Sequence, residues 1–179
     1  MDRRMVRPVI KNIIGIDCGV NGGIAFKSND VAYGLSVKAV NMPDTIEKLR
    51  SQLVHYKNIG NCIAYIEDVP PFVGFNRPAA RIFKLAKNYG EVLGVLTGLN
   101  IDCIKVRPAV WMKAIGTNKK KHYKTDNEWK NYLKKLAMIY WPNTKVTLKT
   151  ADALLILQYG DRQQLLRDNE RIANGEKKK

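Results

Sequence analysis

The sequence predicts an α/β fold: a mixed five-stranded sheet, three antiparallel strands then two parallel ones, with helices on both faces. Three observations predict it. Apolar runs near 12–17, 22–27 and within 31–42 follow one another with only turns between them, as antiparallel neighbours do. Runs near 62–66 and 101–106 are each reached through a helical stretch, as parallel strands require. The run Cys62-Ile63-Ala64-Tyr65-Ile66 is apolar without alternation, as in a strand covered on both faces.

The elements follow in order. Residues 1–11 read as a basic, poorly ordered lead-in. Ile13-Ile14-Gly15-Ile16-Asp17-Cys18-Gly19 is an apolar strand ending in an aspartate, and Gly22-Gly23-Ile24-Ala25-Phe26 turns back into a second strand. Ser28-Asn29-Asp30 is a turn, and Pro43 ends the third strand. Thr45 caps a helix to about residue 55, with Ile46, Leu49, Leu53 and Val54 at helical spacing. The fourth strand ends in Glu67-Asp68, Pro70-Pro71 breaks the chain, and a loop runs to Phe75. A helix over 78–99 carries Ile82, Leu85, Tyr89, Val92 and Leu96 on one side. Its Gly90, Gly94 and Gly98 suggest close packing on a neighbouring element, at a cost in helix propensity.

After the fifth strand, Pro108 suits the first turn of a helix to about 115. Residues 116–124 form a lysine-rich loop. Asp126 caps a helix to about 140, and Trp141-Pro142 stops it. The last core helix starts near Thr150, and 162–179 reads as a frayed charged tail. With no repeat and no linker, 1–179 is one domain with its core over about 12–160.

The chain has 179 residues, 45% of them hydrophobic, enough for one domain with a real core. Its 31 Lys and Arg against 16 Asp and Glu leave a net charge of +15, which implies a polyanionic partner, nucleic acid first. No basic amphipathic helix with a broad apolar face and no bilayer-length apolar run is present, so a membrane is not the expected partner. The start lacks a signal-peptide core, so the expected location is intracellular, not secreted. Cys18, Cys62 and Cys103 are odd in number and form no CxxC pair, so reduced thiols are expected and neither a disulfide scaffold nor a zinc site.

Three acids stand out by position. Asp17 ends the first strand, Glu67 ends the fourth, and Asp152 sits in the first turn of an apolar helix. Each alone reads as a turn, loop or cap residue. Together, a charged group at the core's edge needs compensation. If the first and fourth strands are neighbours, their acids leave the same edge of the sheet, and a helix packed there brings Asp152 to them. Three converging carboxylates favour Mg²⁺ or Mn²⁺, which take oxygen ligands.

These same stretches carry a resemblance. Ile14-Gly15-Ile16-Asp17-Cys18-Gly19, Ala64-Tyr65-Ile66-Glu67, Val106-Arg107-Pro108-Ala109-Val110-Trp111-Met112-Lys113 and Ala151-Asp152-Ala153-Leu154-Leu155 resemble, in order and spacing over about 12–160, the motifs of RuvC-type Holliday junction resolvases. They are most similar to those of phages and large DNA viruses. The resemblance implies a ribonuclease H-like fold, a homodimer, and Mg²⁺-dependent nicking of opposed strands at a four-way DNA junction. By it, Asp17, Glu67 and Asp152 are metal ligands, and Lys113 and Lys124 face DNA. The family's usual fourth ligand, an acid or histidine, falls at Lys149. Three readings stay open there: a second metal held by three carboxylates, the Lys149 ammonium in its place, or a copy that binds junctions and cuts poorly.

Residues 103–149 hold twelve Lys or Arg and two acids, densest at Lys119-Lys120-Lys121-His122-Tyr123-Lys124. Such a segment is a solvated loop or a phosphate-contacting one. On the second reading Arg107, Lys113, Lys119, Lys120, Lys121 and Lys124 contact DNA. Phe72, Phe75 and Tyr123 are then candidates to stack at a branch point, and Trp129 is a weaker one that also reads as core. Competing classes are another ribonuclease H-like nuclease cutting flaps, forks or RNA–DNA hybrids, a non-cleaving junction binder, and an actin-like ATP-binding fold. The last normally needs a duplicated domain, and the chain lacks a P-loop pattern.

Overall fold

The computed structural model describes residues 12–28, 36–69, 78–117 and 123–173. Strand β1 (Asn12–Asp17) is the middle of the sheet, and its first five residues are buried. Around it lie β2 (Gly23–Ser28), β3 (Ser36–Asn41), β4 (Cys62–Glu67) and β5 (Asp102–Val106), in the order β3-β2-β1-β4-β5. The pairs β1–β2 and β2–β3 are antiparallel, and β1–β4 and β4–β5 are parallel. The helices are α1 (Ile46–Ile59), α2 (Ala79–Gly98), α3 (Pro108–Ala114), α4 (Asp126–Tyr140) and α5 (Ala151–Ala173). This is the expected mixed sheet with helices on both faces. None of the described helices is long and apolar enough to cross a membrane.

Alternation along the strands sorts the core into two layers. Ile14, Ile16, Ile24, Phe26, Ala64 and Ile66 pack with Leu49, Leu53 and Tyr56 of α1 and Val92 and Leu96 of α2. Ile13, Ala25, Ile63, Tyr65 and Val106 pack with Trp111, Leu133 and the Ala151–Leu157 stretch of α5. Both faces of β1 and β4 are therefore dry, which is why their sequences lack alternation.

Helix α5 lies against the strands almost backbone to backbone. A Cβ placed on Gly15 of β1 would stand 2.3 Å from the Ala153 carbonyl oxygen and 2.5 Å from the Leu157 nitrogen. A Cβ on Gly160 would stand 2.5 Å from the Tyr65 ring. No side chain fits at either point, so the two glycines set how closely the helix seats. Further along, Lys27 Nζ pairs with Asp161 Oδ1 at 2.5 Å, and Gln164 Nε2 donates to the Tyr65 hydroxyl at 3.1 Å.

Three expectations need correction. Residues from 162 onward do not fray at once: α5 continues to Ala173, and Arg162 donates to the Ala114 carbonyl and lies over the Tyr140 ring. Gly90, Gly94 and Gly98 do not pack closely within the chain: a Cβ on any of them meets nothing within 4 Å. The reason is that α2 buries Val92, Val95 and Leu96, while the glycine row runs along the opposite, exposed face. The N-cap of α4 is Thr125, not Asp126: its hydroxyl accepts the Glu128 N–H at 3.1 Å.

The glycines separate sharply by experiment. Gly15→Ala overpacks the β1–α5 contact and lowers unfolding stability by about 3 kcal/mol. Gly90→Ala, in open space on a helix, raises it by about 1 kcal/mol. Urea unfolding of the two variants checks both, and equal effects would refute this account of how α5 seats.

Candidate active site

Three elements deliver the acids to one place. Ile16 pairs with Ile66 across parallel β1 and β4, so the next residues, Asp17 and Glu67, are neighbours at the strands' C-terminal ends. They share the alternation of Ile13, Ile63 and Tyr65 and so face the α5 layer. Helix α5 starts there. Thr147 and Thr150 exchange hydrogen bonds reciprocally: the Thr147 N–H donates to Thr150 Oγ1 at 2.9 Å, and the Thr150 N–H to Thr147 Oγ1 at 3.2 Å. This box fixes the helix start and leaves Asp152 in the first turn. All three acids are half-buried.

Two of them are held at one oxygen each. The Gly19 N–H donates to Asp17 Oδ1 at 2.8 Å, within a turn that the Gly22 N–H closes on the Gly19 carbonyl. The fully buried Trp111 of α3 donates its Nε1–H to Glu67 Oε2 at 3.1 Å. Both bonds orient a carboxylate and favour its charged form.

The electrostatics show the three acids sensing each other. Burial, then repulsion from Asp17 and Asp152, pushes Glu67 up to about 8, against the Trp111 bond. Burial, then repulsion from Asp17, pushes Asp152 up to about 7, and Lys130 opposes this. Burial raises Asp17 too, opposed by the Gly19 N–H and by Lys130. Yet among the described residues no group of three or more His, Cys, Asp or Glu side chains forms a ready metal-holding arrangement. The acids are drawn near enough to repel but do not stand as a chelating cage. Their chemistry is nonetheless that of a hard-cation site, because the converging donors are all oxygens. Cys18 belongs to the α1–α2 layer, and burial holds its thiol well above its usual range.

The cation that acts on Asp17 and Asp152 is Lys130 of α4. Lys149 is exposed in the turn before α5, and its backbone carbonyl stands over Gly23. Sequence reasoning missed Lys130 and the bond from Trp111. Lys130 follows the buried Trp129, so it leaves α4 near the core side, but nothing in its neighbourhood distinguishes it from Lys134 or Lys135. Trp111 lies within a motif already singled out, where a buried indole needs an acceptor.

Of the expected DNA-facing residues, Arg107, Lys113 and Lys124 are exposed, at the start of α3, its last turn and the approach to α4. Tyr123 is half-buried, with its ring 5.3 Å from Trp129 and 5.0 Å from Tyr132. Trp129 is a core residue, 6% exposed, so its indole is not free to stack on a base. Phe72, Phe75, Lys119, Lys120 and Lys121 lie outside the described residues.

The repulsion has a consequence for stability. The folded-state values of Glu67 and Asp152 are raised, so the folded protein holds more protons than the unfolded chain between about 4.5 and about 8. Stability therefore falls as pH rises through that window. In chelator-treated protein, thermal unfolding is expected at lower temperature at pH 8 than at pH 5. Asp17→Asn removes one repelling charge and should narrow the difference; an unchanged pH profile in that variant contradicts the coupling.

No protein-family model matches the chain, and no curated protein matches it. Solved structures do match. RuvC of Thermus thermophilus superposes with a TM-score of 0.53 at 14% identity, covering 86% of this chain and 96% of that one. The T. thermophilus RuvC in complex with a Holliday junction substrate gives 0.52 at 13% identity, with the same coverage. The yeast mitochondrial Holliday junction resolvase gives 0.38 at 9% identity, covering 86% of this chain and 78% of that one. At such identities the first two show the fold: the chain has the mixed five-stranded, ribonuclease H-like α/β architecture of RuvC.

Proposed function

We propose that this protein is a divalent-metal-dependent endonuclease that cuts opposed strands of four-way DNA junctions. The observation that carries the reading is the meeting of Asp17, Glu67 and Asp152 at one end of β1, β4 and α5, in a chain with the fold of RuvC and a net charge of +15. The similar T. thermophilus structure in complex with a Holliday junction substrate, together with the ordered motifs, favours the four-way junction over other branched DNA. The motifs also favour the phage and large-DNA-virus branch.

Asp17, Glu67 and Asp152 would hold Mg²⁺, with Mn²⁺ as a substitute. When bound, the metal supplies Lewis-acid charge at the scissile phosphate and a more acidic water. The chain's own residues prepare the place. The Gly19 N–H and the Trp111 indole each hold one oxygen of their carboxylate and leave the other available. Lys130 offsets part of the negative charge. Arg107, Lys113 and Lys124 position the DNA through its phosphates without reading bases. The work is done by one nuclease domain acting as a homodimer. The open glycine row of α2 offers the partner a close approach, with Phe83, 70% exposed, on the same helix.

Labelled junctions should be nicked in Mg²⁺ and left intact in EDTA. Asp17→Asn should lower the rate by about a thousandfold, on the order of the several kcal/mol a metal supplies, with junction affinity retained. Near-normal cutting by that variant removes Asp17 from the mechanism. Cutting of flaps, forks or hybrids in preference to junctions reassigns the substrate.

The phosphate contacts have their own signature. Lys113→Ala and Lys124→Ala should each weaken binding alike across DNA sequences and reduce the salt slope of the affinity by about one. A slope equal to that of the unmodified protein takes the residue off the DNA surface.

A further inference from the structure

We propose that a groove on the first half of α4 receives an unpaired nucleobase of the bound DNA, stacked on Tyr123 and Tyr132. The inference rests on the DNA reading above and extends it from the phosphate backbone to a base.

The groove has a volume of about 490 Å³ and is lined by Tyr123, Asn127, Glu128, Asn131, Tyr132 and Lys135. That lies within the range of about 300–1,000 Å³ typical of small-ligand pockets. Its aromatic wall is held from behind. Trp129 is anchored in the core, its ring stacks on Tyr132 at 5.6 Å and 27°, and Tyr123 meets both. The two half-buried tyrosine rings thus stand against a fixed support at the surface, with little freedom left to lose when a flat ligand arrives. Base–aromatic stacking needs such a face and tolerates any base.

The polar groups suit a base edge next to a backbone phosphate. Asn127 and Asn131 are exposed one helical turn apart. Asn131 Nδ2 donates to the Asn127 carbonyl at 2.9 Å, which leaves its second N–H and its amide oxygen to offer. The acid in the wall is already engaged: Glu128 accepts the Lys124 N–H at 2.8 Å as part of the α4 cap. Lys135 supplies a positive charge at the rim, and Lys124, Lys130 and Lys134 lie on the same element or just before it. Aromatic faces, amides and lysines together select a nucleotide over an acidic peptide, which has no use for the rings. Lys130, whose charge reaches Asp17 and Asp152, leaves the same helix on a different face from Asn127 and Asn131.

The test measures affinity of the full chain for an oligothymidine strand and for a duplex of equal phosphate count. Two variants are used. Tyr132→Leu keeps an apolar contact to Trp129 but removes a ring face. Asn131→Trp fills the groove from an exposed helical position and spares the core. Each should weaken strand binding by about tenfold and leave duplex binding unchanged. A strand carrying 2-aminopurine should be quenched by the unmodified protein and much less by the variants. Loss of equal size on strand and duplex, or no loss from either variant, overturns the groove and leaves the DNA reading standing. An unmodified protein that binds neither DNA overturns both.

Discussion

The close seating of α5 on β1 governs the rest of the molecule. With hydrogen as its side chain, Gly15 lets the Ala153 and Leu157 backbone come within distances that no Cβ tolerates. The turn leading into the helix lies over Gly23 of β2, and the helix then crosses Gly15 of β1 and Tyr65 of β4. Asp152 is one residue before the tightest of these contacts, so its distance from Asp17 is set by backbone geometry rather than by flexible side chains. A cluster of acids placed this way stays in register even though its members work against each other.

That opposition is the energetic character of the site. Asp17, Glu67 and Asp152 are crowded, partly desolvated and only partly offset by two hydrogen bonds and a nearby lysine. Isolated, such a cluster weakens the fold. It persists because the layers on either side of the sheet are dry and the contacts of α5 are many and rigid. Local cost at the site and surplus packing elsewhere are two parts of one arrangement.

Much of this was legible from residue order. Strand and helix positions followed from short apolar runs, Pro43, Pro70-Pro71 and Pro108, and the sheet matched its expected strand directions. Asp17, Glu67 and Asp152 stood out because each acid interrupts or ends an apolar stretch, and the parallel pairing of β1 with β4 makes the first two neighbours. What escaped has a common cause, which is that it depends on partners distant in sequence. The row Gly90, Gly94, Gly98 shows a spacing but not whether anything lies opposite it. Arg162 and Gln164 look like solvated tail residues until Ala114 and Tyr65 are placed beside them. Lys130 is one lysine among many. Side-chain torsions were not legible either: sequence brings the acids to one edge but does not fix how their oxygens point.

The order of the elements along the chain has a temporal consequence. During synthesis β1 and β4 leave the ribosome before α5, so Asp17 and Glu67 have no Asp152 to meet until that helix follows. The three acids come together only when the final described helix docks, and the same helix covers much of that face of the sheet. Closure of the core and the meeting of its acids thus hang on one late segment of the chain.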